Sequence, residues 1–512
     1  VDVVRPPLAA VIGGPAPQRG VVLTHGHEDH PGAVPDLLGA CNVPVWAGPY
    51  AIELTRRKLS EQFGSASSFD LNPVEPSLRF RVGPFDFDPI RVAHSTPDAF
   101  AFAVHTAAGL LLHTGDFKFD ESLHQKERTD EERLAEMGKA GVRLLLSDST
   151  NSGVVGHSGT EQQVSQELDR VVEASPGRVL VCLFASNVYR LRSLGHVARR
   201  HGRRLCLLWR SMSKHVEVTA ALGRLDWPSD LLVSAEQADY GDPGNVLYAA
   251  TGTQGEARGA LSRVATGSYP RVHLEAGDTV VLSSRVIPGH DLAVQATVDR
   301  LLRRGVQVVS CRTRRQLHAS GHAHREEQRR MIELVRPRGF VPVHGGREQL
   351  EQHAELARSC DVPEIWVLDD GDALVLGPDS AEVQPAAEPL APVALAEGRA
   401  VPEAVLRERQ QLGRAGVVCV TLWLPAAAAD SASPLGALRV AVAALGVSTD
   451  PQLVGRLEAL VSRQLRPVPR LAAAMERRIR EAVRRELRAS VAGRPIVLVR
   501  IAREGHEATS DG

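Results

Sequence analysis

RGVVLTHGHEDHPG, residues 19–32, decides how this chain is read. The apolar run Val21–Leu23 is followed at once by His25, His27, Asp29 and His30. An extended strand–loop aims alternate residues to one side, so this spacing gathers several side chains on a common point. Imidazoles and carboxylates packed so densely are costly to bury unless a cation holds them. They suit zinc or manganese. An HxHxDH pattern after an apolar strand therefore reads as a metal-binding motif.

Working outward, the same device recurs. His94 ends RVAH, Asp116 lies in a tight Thr-Gly-Asp turn within LLLHTGDFKFD, and His344 follows the apolar run of GFVPVHGG. Each sits just past a predicted buried strand. A second cluster is LHASGHAH, residues 317–324, where His318, Ser320 and His322 alternate. Hydroxyl and imidazole donors cradle phosphate and stabilise charge on a leaving oxygen. Taken alone, the stretch reads equally well as a polar turn.

Size and composition set the frame. A chain of 512 residues is too long for one core and implies about two to four domains. Hydrophobic content of 43% with 24% charged residues is that of an ordinary globular protein. The formal net charge of −1 argues against a generally basic binder, yet leaves room for a nucleic-acid enzyme with a local basic groove. The six cysteines are scattered without CxxC, so neither a disulfide framework nor a thiolate zinc site is expected, and a reducing cytoplasm fits. No apolar run is long enough to cross a membrane, and no signal peptide opens the chain.

Residues 1–150 alternate short apolar runs with polar turns: VVLTHGH, RVAHSTPDAFAF, LLLHTGDF and RLLLSDSTN read as buried strands delivering polar residues at their C-terminal ends. From about 160 the pattern becomes strand–helix alternation. EQQVSQELDRVVEAS and SNVYRLRSLGHVARRHG read as helices, the latter capped by Ser186 or Asn187. RVLVCLF, RRLCLLW, TVVLSSR and VQVVSCR read as strands of a Rossmann-like insert. The segment 376–400 is rich in Pro and Ala and reads as a linker. Beyond it, VVCVTLWLP, a helix at about 450–465, the stripe Leu471, Met475, Ile479, Val483 and Leu487, and the strand RPIVLVRIA predict a small α+β domain. The arginine-rich face of that striped helix reads as solvated rather than RNA-binding.

HGHEDH, RVAHSTPDA, HTGDFKFD, LSDSTNS, HASGHA and PVHGG, in this order, resemble the ribonuclease J family, which has the metallo-β-lactamase fold with an inserted β-CASP domain. The resemblance covers almost the whole chain, including VLRERQQLGRAGVVCVTL. It implies an α/β architecture: an αββα sandwich over 1–160 and 317–378, a β-CASP domain over 161–316, a linker over 379–400 and an α+β domain over 401–512. Members carry strands ahead of the position where this sequence begins, so the first sheet is expected to lack them. The resemblance assigns His25, His27 and His94 to one metal and Asp29, His30 and His344 to another, with Asp116 bridging. Two divalent ions, zinc or manganese, spaced about 3.5–4 Å apart, clamp a phosphodiester and activate water. Catalytic roles fall to Asp148, His322 and Asp29, and phosphate contacts to His318, Ser320 and His322. Asp98, in STPDA, is expected to be structural or to support a ligand from behind rather than to be catalytic.

Ser186, Asn187 and Arg190 in FASNVYR are expected to donate to phosphates at a helix N-terminus, with plain capping the competing reading for Ser186. Four positions depart from the family pattern. His is usual at Tyr189, Asn at His290, Glu at Asp291 and an acidic residue at Gly346. The expectation is a cytoplasmic metal-dependent ribonuclease acting 5′→3′ on single-stranded RNA with a 5′-monophosphate, and also endonucleolytically, in RNA decay and rRNA processing. A homodimer or homotetramer is expected, and no membrane association. Two competing functions stand beside it: a small-molecule metallo-hydrolase, against which the long insert argues, and a catalytically impaired paralogue that binds RNA or a sister subunit.

Overall fold

The structure is a computed structural model that describes residues 3–13, 17–239, 242–287, 289–387, 390–396, 399–424, 439–448, 450–465, 472–491 and 493–503. Two compact units emerge: Pro6–Ala391, and Val1–Arg5 together with Pro392–Gly512.

In the larger unit, the run after which the histidines fall is the parallel strand Val21–Leu23, pairing Val21 with Val45 in a three-stranded sheet. A seven-stranded sheet runs in the order Glu364–Ile365, Gly339–Val343, Val142–Asp148, Gly109–His113, Phe100–Thr106, Phe85–Arg91, Phe80–Val82. Its middle strands are parallel and buried on both faces, which is why RLLL and GFVPV read as unbroken apolar runs. Register does the positioning. Val343 lies opposite Asp148, and His113 opposite Leu146, so the residues following each strand emerge at one edge. Leu112, Leu145, Phe340, Met331 and Leu356, all fully buried, pack the sheet against the helices Arg325–Val335 and Arg347–Ser359.

The insert is a six-stranded parallel sheet in the order Leu232–Val233, Arg204–Leu207, Val246–Ala250, Val179–Cys182, Thr279–Leu282, Gln307–Ser310. Alternate residues of its central strand enter two cores: Val179 and Val181 one, Leu180 and Cys182 the other. A sheet covered on both faces is the Rossmann-like arrangement expected. Thr160 starts the helix Glu161–Glu173 with a capping box to Gln163.

The expected linker differs from what is observed. Ala373–Leu376 and Ala381–Gln384 form a hairpin, and Val393–Ala396 is the middle strand of a sheet with Val3–Arg5 and Arg399–Ala400. Pro and Ala set the composition, but the short alternating stretches AEVQ and VALA find partners that a local reading does not see. In the smaller unit, Val417–Leu424 pairs antiparallel with Arg439–Leu445 and parallel with Ile496–Arg503. The helices Leu453–Gln464 and Ala472–Ser490 cover it, with Met475, Ile479, Val483 and Leu487 buried and Arg477, Arg484 and Arg485 exposed. Leu471 of the predicted stripe lies outside the described residues.

Candidate metal centre

Past Leu23 the backbone leaves its sheet, and His25 and His27 turn toward Asp116 and His94. His25 is fully buried, its Nε2 3.4 Å from Asp116 Oδ2. His94 Nδ1 donates to the Gly321 carbonyl at 2.6 Å, which leaves Nε2 with its lone pair, 2.9 Å from His27 Nδ1 and 3.8 Å from Asp116. Ser95 Oγ occupies the other nitrogen of His27 at 3.2 Å, so Nδ1 is the one turned to the cluster. Gly115 makes the turn before Asp116 at φ 58°, where an added Cβ would meet Phe100 O and Thr24 Cβ, each at 2.9 Å.

The second set shares Asp116. His30 Nε2 lies 3.4 Å from Asp116 Oδ2 and 3.5 Å from Asp29 Oδ2. His344 Nε2 lies 3.2 Å from Asp29 and 3.8 Å from Asp116. His344 holds φ 58°, a conformation that costs a non-glycine residue about 1 kcal/mol or more. Asp148 and His322 stand alongside: His322 Nδ1 donates to Asp148 Oδ2 at 2.9 Å, and its ring stacks on His344 at 5.6 Å. Three overlapping groups result: His25–His27–His94–Asp116, Asp29–His30–Asp116–His344 and Asp116–Asp148–His322–His344. In each, the ligand atoms lie within 4.8 Å of one another.

The donors fit divalent cations. Nε2 of His25 is buried without a hydrogen-bond partner. Burial, reinforced by neighbouring imidazoles, holds His25 and His94 well below their ordinary pKa, and burial brings His27 to about 4. These are the neutral forms that ligate. The opposite demand appears on the other side. Burial pulls His30 down, but hydrogen bonds to Asp116 and Asp29 carry it up to about 9. Hydrogen bonds to Asp148 and Asp29 carry His344 up to about 11. The carboxylates call for positive charge, and protons on His30 and His344 supply what a cation would.

The structure brings Ser320 and His322 to this edge. Ser320 Oγ accepts from Asn151 Nδ2 at 3.0 Å and from the His322 amide at 3.1 Å. His318 has a buried Nδ1 without a partner, and burial lowers its pKa to about 3.

The FASNVYR expectation needs correction. Asn187 is the helix cap, accepting from the Arg190 amide at 2.9 Å, and no side-chain hydrogen bond is described for Ser186. Arg190 is 1% exposed and has no nitrogen left to offer a phosphate. Its Nε and Nη2 bind Glu161 at 2.9 Å each, Nη1 binds the Ser283 carbonyl at 2.8 Å, and Nη2 also reaches the Ala319 carbonyl at 3.2 Å. Glu161 lies far away in sequence, so nothing local announced the pair. Asp98 accepts from Arg224 Nη2 at 2.6 Å.

Sequence reading missed the supports. Thr150 Oγ1 touches both His344 Nδ1 at 2.9 Å and Asp148 Oδ1 at 2.7 Å. Glu327, 2% exposed, accepts from the amides of Phe119, Ser158 and His324, tying together three loops around the site. Thr150 sits inside SDSTNS, a signal that was visible; Glu327 sits in a helix as one more acidic residue, and carried none.

Comparison with known families agrees along the chain. Residues 3–182 match the metallo-beta-lactamase superfamily, 176–301 the ribonuclease J beta-CASP domain, 307–363 the Zn-dependent metallo-hydrolase RNA specificity domain and 404–504 the ribonuclease J C-terminal domain. Ribonuclease J of Synechocystis sp. is 36% identical over 83% of this chain and 66% of its own length. Ribonuclease J 1 of Streptococcus pyogenes is 34% identical over 82% of this chain and 75% of its own. Ribonuclease J of Mycobacterium tuberculosis is 38% identical over 72% and 65%. The chain thus spans about two thirds to three quarters of these relatives.

Proposed function

This chain belongs to the ribonuclease J family, and from that membership we propose that it is a metal-dependent ribonuclease whose metal centre is the cluster around Asp116. The observation that carries the reading is the gathering of two imidazole–carboxylate sets on one shared carboxylate. His25, His27 and His94 would hold one cation and Asp29, His30 and His344 a second, with Asp116 the carboxylate available to both sets. The imidazole-rich donor set favours zinc, with manganese the competitor. When bound, the pair supplies Lewis acidity and activates water for attack on phosphorus.

The chain's own residues do the rest. His94 is fixed through Gly321 and His27 through Ser95, so neither ring needs to reorganise. His322, oriented by Asp148, presents an imidazole beside the phosphate site, where it stabilises developing charge or carries a proton at the leaving oxygen. His318 and Ser320 contact the flanking backbone. Segment 161–316 acts as the lid domain and 317–378 completes the lactamase fold. The substrate is single-stranded RNA with a 5′-monophosphate, cut 5′→3′ and also internally, in cytoplasmic RNA decay and rRNA processing, by a homodimer or homotetramer.

The test is cleavage of 3′-labelled RNA bearing a 5′-monophosphate, with zinc or manganese, beside His27→Ala. Mononucleotide release that needs metal and disappears in the variant is expected. A folded, metal-loaded chain that leaves RNA intact sinks the reading.

A further inference from the structure

The stretch between Leu317 and Ala323 has no regular secondary structure, yet its alternate carbonyls are all engaged. Ser283 Oγ donates to the Leu317 carbonyl at 2.7 Å, Arg190 Nη2 to that of Ala319 at 3.2 Å, and His94 Nδ1 to that of Gly321 at 2.6 Å. Ser283 itself receives Arg190 Nη1 at 2.9 Å. Two of the clamps belong to the inserted domain, and the third is a residue of the metal cluster. The next carbonyl, that of His322, accepts from Asn151 Nδ2 at 3.2 Å.

Arg190 belongs to a buried set of charges. Arg190 is paired two-pronged with Glu161. The Glu161 amide donates to Asp120 at 2.9 Å, and Asp120 pairs with Lys118 at 2.8 Å; all four side chains are buried. Lys118 and Asp120 come from HTGDFKFD, the segment that also carries Asp116. The set therefore spans both lobes of the larger unit. An isolated buried arginine is too costly to persist, so the pairing explains why the guanidinium stays in place to clamp the loop.

We propose that Arg190 is a positioning residue: held by Glu161, it clamps the Ala319 carbonyl and so sets the Leu317–Ala323 loop, with His318, Ser320 and His322, in register with His94. The inference rests on the cluster being the reactive centre. Arg190 touches neither substrate nor cation; it acts through the loop.

Arg190→Met alone leaves Glu161 buried and unpaired and risks unfolding, so the decisive variant is Glu161→Leu/Arg190→Met, which removes both charges at similar volume. Ser283→Ala, which removes the Leu317 clamp, is the milder companion. Two readouts are taken. Hydrogen exchange of the Ser320 and Ala323 amides, in the metal-free chain, is expected to speed up about tenfold or more while amides of the strand Val179–Cys182 keep their protection. RNA cleavage is expected to lose about tenfold or more in kcat with KM little changed, the pattern of lost transition-state alignment. Arg190→Lys, which lacks the two-pronged fork, is expected not to rescue. Unchanged loop exchange in the folded double variant overturns the proposal, and so does kcat within about twofold of the parent. If the parent chain cleaves no RNA, the ribonuclease reading has failed, while loop exchange still decides the positioning role.

Discussion

Gly321 shows how tightly single residues are constrained at this centre. A Cβ there would stand 3.0 Å from both His94 Cε1 and Ser95 Oγ, the ring and the hydroxyl that set two of the cluster's imidazoles. Gly321→Ala should push His94 out of line and weaken zinc binding about 10–100-fold. Competition with a chelating dye measures this, and unaltered affinity would show that the site yields more easily than its contacts suggest. The histidines themselves were legible in the sequence because HxHxDH is local. His94, Asp116 and His344 were legible only through a repeated device, a ligand just past an apolar run, together with family resemblance. Arg190 was misread: its context looks like a helix N-terminus with a free cation, and the partner that consumes it, Glu161, is the first residue of a different helix.

Helices carry the next scale. Asn187 caps Val188–Arg200 and Thr160 caps Glu161–Glu173, each accepting the amide three residues on. Asn187→Ala and Thr160→Ala should each cost about 1 kcal/mol in urea unfolding. A loss well above that for Asn187→Ala would mean that it does more than cap. The helices Pro49–Phe63 and Arg210–Ala221 meet through Tyr50 Oη, 2.6 Å from His215 Nδ1, with Lys214–Glu61 and Arg57–Glu217 on the rim. Burial, aided by Lys214 and Lys58, lowers His215 to about 4. The unfolded chain then takes up a proton between about pH 6.5 and 4 that the folded chain refuses. This contribution to stability is full above pH 6.5 and is lost as pH falls toward 4, by at most about 3 kcal/mol. His215→Gln should flatten that part of the curve; an identical pH slope in the variant would remove His215 as its source.

For the whole molecule, metal is expected to act as a folding ligand of the larger unit. Zinc at a hundredfold excess over its Kd should add about 2.7 kcal/mol, and a chelator should remove it. In calorimetry, that shift should appear in one transition, while the transition of the smaller unit, which holds none of the cluster's residues, stays put. A shift of both transitions together would show that the two units unfold as one. The sequence by itself determined what rests on neighbours a few residues apart: the strand–helix alternation, the dense ligand motif, the apolar stripe of the last helix. It also determined the family, through ordered motifs. What rests on partners far apart in sequence was decided by the tertiary structure alone. Val393–Ala396 becomes a strand because Val3–Arg5 lies beside it, and a stretch of Pro and Ala gave no hint of this. Asp148 and His344 meet because two parallel strands share a register, and Arg190 turns inward because a carboxylate waits there. Periodicity reports which face a residue shows, but only packing reports what that face meets.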